Sequence, residues 1–303
     1  AALCASTLAE EPGPVFVAAG HFGARMISED GVHWSKPVLG KEGETYRFLQ
    51  FLGGRCVAVG SFGGDNIMAS TVDGKTWKTA KHDAKYVNYV RCLTVGKGVF
   101  LGIAGDAGGG GIAGMCKVTT STDGTKWSEQ TSIEGKAMLR RAVFGKDRFV
   151  AVGDLGRRAV STDGKKWRDA PGVKALDTLI DVAYGNDVFV GVGLHGLRMR
   201  SADGLVWTDR QIGEEGVHLN SVLWTGDRFV AIGQGATYFS KDGSQWTHEK
   251  NADAPTIATY GNGIFVGSKW RGRLLMSRDG IQWRETMKSE QPIESLAFGT
   301  LSK

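Results

Sequence analysis

The chain has 303 residues, 41% of them hydrophobic and 23% charged, with a net charge of +5 from 37 basic and 32 acidic side chains. Such a composition can bury a core without help from metals or disulfides, and with no run near the roughly 18 apolar residues of a spanning helix, no integral membrane protein is expected. The basic residues form no run or aromatic-interleaved stripe, so no nucleic-acid partner is expected either.

At the start of the chain, residues 1–9 are small and apolar, and Thr7-Leu8-Ala9 precedes Glu10-Glu11. The segment 1–14 therefore reads as the tail of a secretory signal peptide, which points to a secreted or periplasmic protein. Residues 15–303 read as one repeat domain. Apolar runs closed by glycine recur there: residues 15–19 before Gly20, 56–59 before Gly60, 149–152 before Gly153, 189–192 before Gly193 and 229–232 before Gly233, with looser copies at 100–105 and 265–267. Short apolar runs bounded by glycine predict buried strands. About five residues ahead of each lies a second strand ending in an aromatic and usually glycine, as in Phe144-Gly145, Tyr184-Gly185, Tyr260-Gly261 and Phe298-Gly299. These are strands A and B of a repeating sheet.

After strand C comes a phrase found seven times, Ser or Thr, any residue, Asp-Gly, two residues and Trp, with its tryptophans at 34, 77, 127, 167, 207, 246 and 283. Intervals of 37 to 50 residues match one four-stranded propeller blade. Asp-Gly between strands predicts a tight hairpin, because glycine accepts positive φ and the aspartate can bond the amides of its own turn. The tryptophan is placed on strand D. A residue set present in every blade is scaffold, since a single site needs asymmetry.

Aligned A strands give one column of Phe51, Val95, Phe144, Tyr184, Trp224, Tyr260 and Phe298, and on the opposite face a mostly small column of Gln50, Thr94, Val143, Ala183, Leu223, Thr259 and Ala297. Bulky face can then nest on small face around a ring. No A strand precedes Val15, whereas one follows Trp283. The expectation is an all-β, seven-bladed β-propeller of four-stranded antiparallel blades, closed by the C-terminal strand completing the first blade. Cys56, Cys92 and Cys116 fall in predicted strands as buried thiols, with Cys92–Cys116 the pair to test for a bridge.

The repeated phrase resembles the Asp-box, or BNR repeat, Ser/Thr-x-Asp-x-Gly-x-Thr-Trp, with one residue fewer between Asp and Trp, as in Asp73-Gly74-Lys75-Thr76-Trp77. The resemblance covers residues 15–299. Asp-box propellers include sialidases, xyloglucanases and non-enzymatic proteins such as the seven-bladed photosystem II assembly factors, so it implies a fold and leaves activity open. A sialidase would carry six blades and an early Phe/Tyr-Arg-Ile-Pro phrase. Here the nearest phrase, Tyr46-Arg47-Phe48-Leu49, lacks Ile-Pro, and Tyr184, Tyr238 and Tyr260 sit in predicted strands.

Asymmetry appears at the start of strand A, where the column reads Arg47, Arg91, Arg140, Ile180, Asn220, Thr256 and Glu294, followed by Arg141 and Asp181. Arginines converging at a channel mouth would hold a carboxylate, a sulfate or an acidic protein segment. The B–C loops add His21, Asp65, Asp106, Asp154, His195, Gln234 and Lys269-Trp270-Arg271, of which Trp270 and Arg271 could contact a sugar or a protein. The glycine-rich segment 108–114 lacks the Gly-Lys-Ser/Thr end of a phosphate loop. No His/Cys cluster at zinc spacing, calcium loop or Gly-x-Ser-x-Gly elbow occurs, so neither metal nor cofactor is expected. The leading expectation is a binding or scaffold propeller for a protein partner or acidic glycan, with Arg47, Arg91, Arg140, Arg141, Asp181, Glu294, Trp270 and Arg271 as site residues and no catalytic residue assigned. The alternative is a carbohydrate-active hydrolase or lyase built on carboxylates among Asp65, Asp106, Asp154, Asp181 and Glu294.

Overall fold

A computed structural model describes residues 13–82, 90–105, 116–135, 137–213 and 217–302. The proposed signal segment up to residue 12, Asp106 and the glycine-rich 108–114 lie outside the described residues. Seven antiparallel sheets form the blades of a closed propeller. Their inner strands are β27 (Ile293–Thr300), β3 (Thr45–Leu52), β7 (Val90–Gly96), β11 (Leu139–Gly145), β15 (Leu179–Gly185), β19 (Leu219–Trp224) and β23 (Ile257–Gly261). Six sheets have four strands in chain order. In the first, β1 (Pro14–Gly20) lies between β2 (Arg25–Ser28) and β27, with Val15 opposite Gly299 and Val17 opposite Ala297, so the ring closes through the C-terminal strand as expected. Its outermost strand departs from the expected four: it shrinks to one bridge between Arg25 and Val38. Pro37 has no N–H to extend that ladder.

The seven repeated turns share one hydrogen-bond design. Ser161 Oγ donates to Asp163 Oδ1 (3.0 Å) and accepts from the Gly164 amide (2.8 Å), while Asp163 Oδ1 accepts the Lys165 and Lys166 amides, both at 2.8 Å. The glycines hold φ between 70° and 79°, where a side chain would be strained. In six blades the indole closes the loop by donating to that glycine's carbonyl, as Trp207 does to Gly204 at 2.8 Å, whereas Trp34 Nε1 has no partner among the described residues. Each tryptophan ends up ahead of the outer strand and not on it: Trp207 directly precedes β18 (Thr208–Gln211). Buried arginines then tie blade to blade, Arg25 reaching over the Trp77 ring (5.3 Å) and Arg158 over Trp207 (5.4 Å).

The aromatic column seats as expected on the neighbouring blade, and the contact is tighter than alternation alone requires. Tyr184 lies on Gly145, Trp224 on Gly185, Phe144 on Gly96, Phe298 on Gly261 and Phe51 on Gly299, each so close that a Cβ on the glycine would overlap the ring. In these five pairs the glycine after the column residue is thus the receptor for the next blade's aromatic, whereas Thr225 follows Trp224. Where glycine is replaced by Leu52, the facing residue is the smaller Val95, and the two pack in one cluster. Cys56, Cys92 and Cys116 are buried and free, so the Cys92–Cys116 bridge does not form. Burial pushes the Cys92 thiol up to about 12.

These turns also make the fold acid-sensitive. All seven turn aspartates titrate below the ordinary carboxylate value: amide hydrogen bonds dominate at Asp123 and Asp163, whereas at Asp73 burial acts in the opposite direction and the Thr76 and Lys75 amides outweigh it, giving about 2. A folded pKa below the unfolded one contributes stability that is present above the unfolded value, near 4, and is lost as pH falls through the folded value. Urea midpoints are therefore expected to drop steeply from about pH 5 to pH 2. A flat profile across that window would contradict the assigned role of the turns.

Candidate functional site at the channel mouth

The same irregularity recurs where the inner strand of a blade begins. Register skips one residue between Tyr46 and Phe48, Val90 and Cys92, Leu139 and Arg141, Leu179 and Asp181, and Leu219 and Ser221, and again at the β1–β27 pairing opposite Ala19 and Gly20. The residues left out of the ladder are Arg47, Arg91, Arg140, Ile180, Asn220 and Glu294. A bulge turns its extra residue out of the sheet plane, here towards the mouth of the channel. The glycines ending the apolar runs permit it: a Cβ on Gly60, Gly153 or Gly193 would strike the carbonyl of Thr45, Met138 or Thr178, where the chain enters the bulge. In the seventh blade Ser268 replaces the glycine and no register shift occurs.

These bulges bring Arg47, Arg91, Arg140 and Arg141 together around one cavity of about 180 Å³, with Phe48, Met138 and Ile180 as its apolar walls. Arg140 forks onto Asp154, with Nη2 2.8 Å from Oδ2 and Nε on Oδ1. Arg47 Nη1 donates to the Ser61 hydroxyl at 2.9 Å. Arg91 Nε approaches the Gly105 carbonyl at 3.4 Å. Arg141 lies over the Phe48 ring at 5.0 Å, donates to the Arg140 carbonyl and stands 3.9 Å from Asp181.

Below this cavity the channel encloses about 310 Å³ between the inner strands and takes in Arg47, Arg141, Asp181 and Glu294. Asp181 accepts the Val182 amide at 3.0 Å and the Val222 amide of the next blade at 2.9 Å. Burial raises its pKa, against the pull of Arg141 and those amides. Glu294 is bound by His21 Nε2 at 2.9 Å. Asp154, Asp181 and Glu294 are thus each engaged by a cation, a histidine or backbone amides. Asp65 is exposed at the start of its strand.

Trp270 and Arg271 sit apart from this cluster. They occupy the turn between β24 (Ile264–Lys269) and β25 (Arg273–Ser277) of the seventh blade and line neither the arginine cavity nor the channel. Trp270 is 69% exposed, and Arg271 has φ 66°. The neighbouring Lys269 and Arg273 are held by Asp253 at 2.8 and 2.5 Å. Sequence reasoning did not single out Phe48. Its place directly after Arg47 of the aligned arginine column was the available signal.

No protein-family model and no curated protein matches the chain. Solved structures do. YCF48 bound to a D1 peptide superposes with a TM-score of 0.61 at 16% identity, covering 97% of this chain and 94% of that one. Virginiamycin B lyase from Staphylococcus aureus gives 0.61 at 12% identity over 79% of this chain and 83% of its own. The WD40 propeller domain of Doa1 gives 0.62 at 9% identity over 85% and 90%. At such identities the shared property is the fold.

Proposed function

We propose that this propeller is a binding scaffold whose channel mouth holds a carboxylate-bearing segment of a protein partner. The observation carrying this reading is the cavity lined by four guanidiniums from three successive blades, in which Arg47 donates to a neutral hydroxyl, Arg140 forks onto Asp154 and Arg141 stands 3.9 Å from Asp181. A carboxylate entering there meets planar donors suited to bidentate hydrogen bonds, with the Phe48 face beside them. That a propeller of the same fold, YCF48, has been solved with a bound peptide supports a peptide over an acidic sugar. The likeness of the repeated turn to the Asp-box is consistent with non-enzymatic relatives as well as hydrolases.

The test is fluorescence anisotropy with labelled acidic peptides that end in a free carboxylate or an amide, beside a sialylated and a neutral oligosaccharide. The free-acid peptides are expected to bind best, and Arg47→Ala or Arg91→Ala to weaken them about tenfold or more. Equal binding of acid and amide, or affinities untouched by both substitutions, would refute the reading. Preference for the sialylated sugar would reassign the site to glycans.

A further inference from the structure

Among the described residues eight large apolar side chains are exposed, and seven of them, Phe22, Leu39, Leu155, Val173, Leu176, Ile212 and Trp270, lie in B–C turns or in the links that lead to the next blade. Both kinds of loop are on the face that carries the arginines. Val206, in a repeated Asp-Gly turn, is the exception on the opposite face. Scattered exposed apolar residues need no explanation, but a bias to one face does. The bias is maintained against backbone preference: Phe22 and Leu155 hold φ of 54° and 51°, a region that disfavours side chains of this kind.

Between the fourth and fifth blades two of these side chains, Leu176 and Ile212, border a groove of about 360 Å³ that Leu194, Leu197, His195 and Arg210 also line. Leu176 is 84% exposed and Ile212 52%. The walls are held in place. Arg210 is anchored on the buried Asp177 at 2.8 Å, Arg158 Nη2 donates to the Asp177 carbonyl, and the Gly213 amide donates to the His195 carbonyl. Arg210 lines the groove and the buried Arg158 lies behind it, two guanidiniums to the one carboxylate of Asp177, so the local charge is positive. The groove lies on the same face as the arginine cavity and is linked to it along the chain: Arg140 binds Asp154, the next residue Leu155 borders a cleft with Val173, and the linker that holds Val173 runs on to Leu176.

Resting on the function proposed above, we infer that this groove takes an apolar side chain of leucine size from the same extended peptide whose carboxylate enters the arginine cavity. The cationic wall complements an acidic segment. The groove is too small for a second copy of the chain, since a stable dimer buries about 800 Å² on each partner, whereas this volume accommodates one or two side chains.

The test uses fluorescein-labelled peptides ending in a free aspartate, with Gly-Ser spacers of two to eight residues separating it from a single Leu or Ser. At one spacing the Leu peptide is expected to bind about tenfold tighter than the Ser peptide. Leu176→Ser with Ile212→Ser should abolish that advantage and keep the dependence on Arg47, because both side chains are exposed and their loss leaves the core intact. Equal binding of Leu and Ser peptides at every spacing, with the free-acid preference retained, would overturn the groove alone. Equal binding of acid and amide would overturn the arginine reading and this inference with it. Sedimentation showing a dimer that the double variant dissolves would assign the groove to self-association and overturn the inference.

Discussion

A chain ending at Lys288, and so lacking β27, is expected to lose cooperative folding altogether. β27 is the inner strand of the first blade, and it touches the flanking inner strands β23 and β3 as well as β1. Without it Phe16, fully buried against Phe298 at 4.7 Å between ring centroids, faces water, and so do Val15 and Val17, whose cluster contains Ala297 and Leu301. Losing the burial of Ile293, Leu296, Ala297, Phe298 and Leu301 costs on the order of 10 kcal/mol, comparable with the whole stability of a typical domain. The edge of β1 that pairs with β27 would also open to water. The measurement is thermal unfolding followed by near-ultraviolet circular dichroism, with gel filtration for aggregation. A peptide of residues 289–303 added in trans should restore part of the signal. A sharp transition within a few degrees of the full chain would show that closure contributes little.

How much of this was legible before any coordinates depends on how local each signal is. The seven turns were, because the Asp-Gly hairpin, its serine and its tryptophan lie within seven residues of one another and recur at a fixed period. Closure was legible too, as an A strand without a partner at one end and a blade without an A strand at the other. The bulges were not. They depend on a glycine of strand B meeting the backbone that enters strand A, a contact between residues more than a dozen positions apart, as with Gly153 and Met138. The sequence therefore aligns the arginines in one column without showing the distortion that presents them. Their partners were open for the same reason: Asp154 was named among the loop acids, yet nothing in the order of residues pairs it with Arg140. Leu155, Leu176 and Ile212 escaped notice because loop residues carry no periodicity to mark them. The first blade's outer strand looked like the others until Pro37 is considered as a missing donor.

The seat between blades predicts the second large effect. Gly145→Ala should destabilise the protein by about 3 kcal/mol, although alanine is the smallest change available and φ at this position is outside the left-handed region. The cause is steric: the new methyl group meets Cγ and both Cδ atoms of Tyr184, a ring already packed on Phe189 at 4.8 Å, so it cannot move aside without opening the blade interface. For a chain of this size the melting temperature should fall by roughly 4–6 °C. The chain itself contains the compensated form, Leu52 facing Val95. Tyr184→Val alone leaves a cavity and should also destabilise, by about 2–4 kcal/mol. In the double variant the two losses should fall short of their sum by 1 kcal/mol or more, since valine makes room for the methyl group and the methyl group fills part of the space the ring vacates. Strict additivity in that cycle would mean that ring and glycine do not share one space, and the account of how the blades are seated would have to be given up.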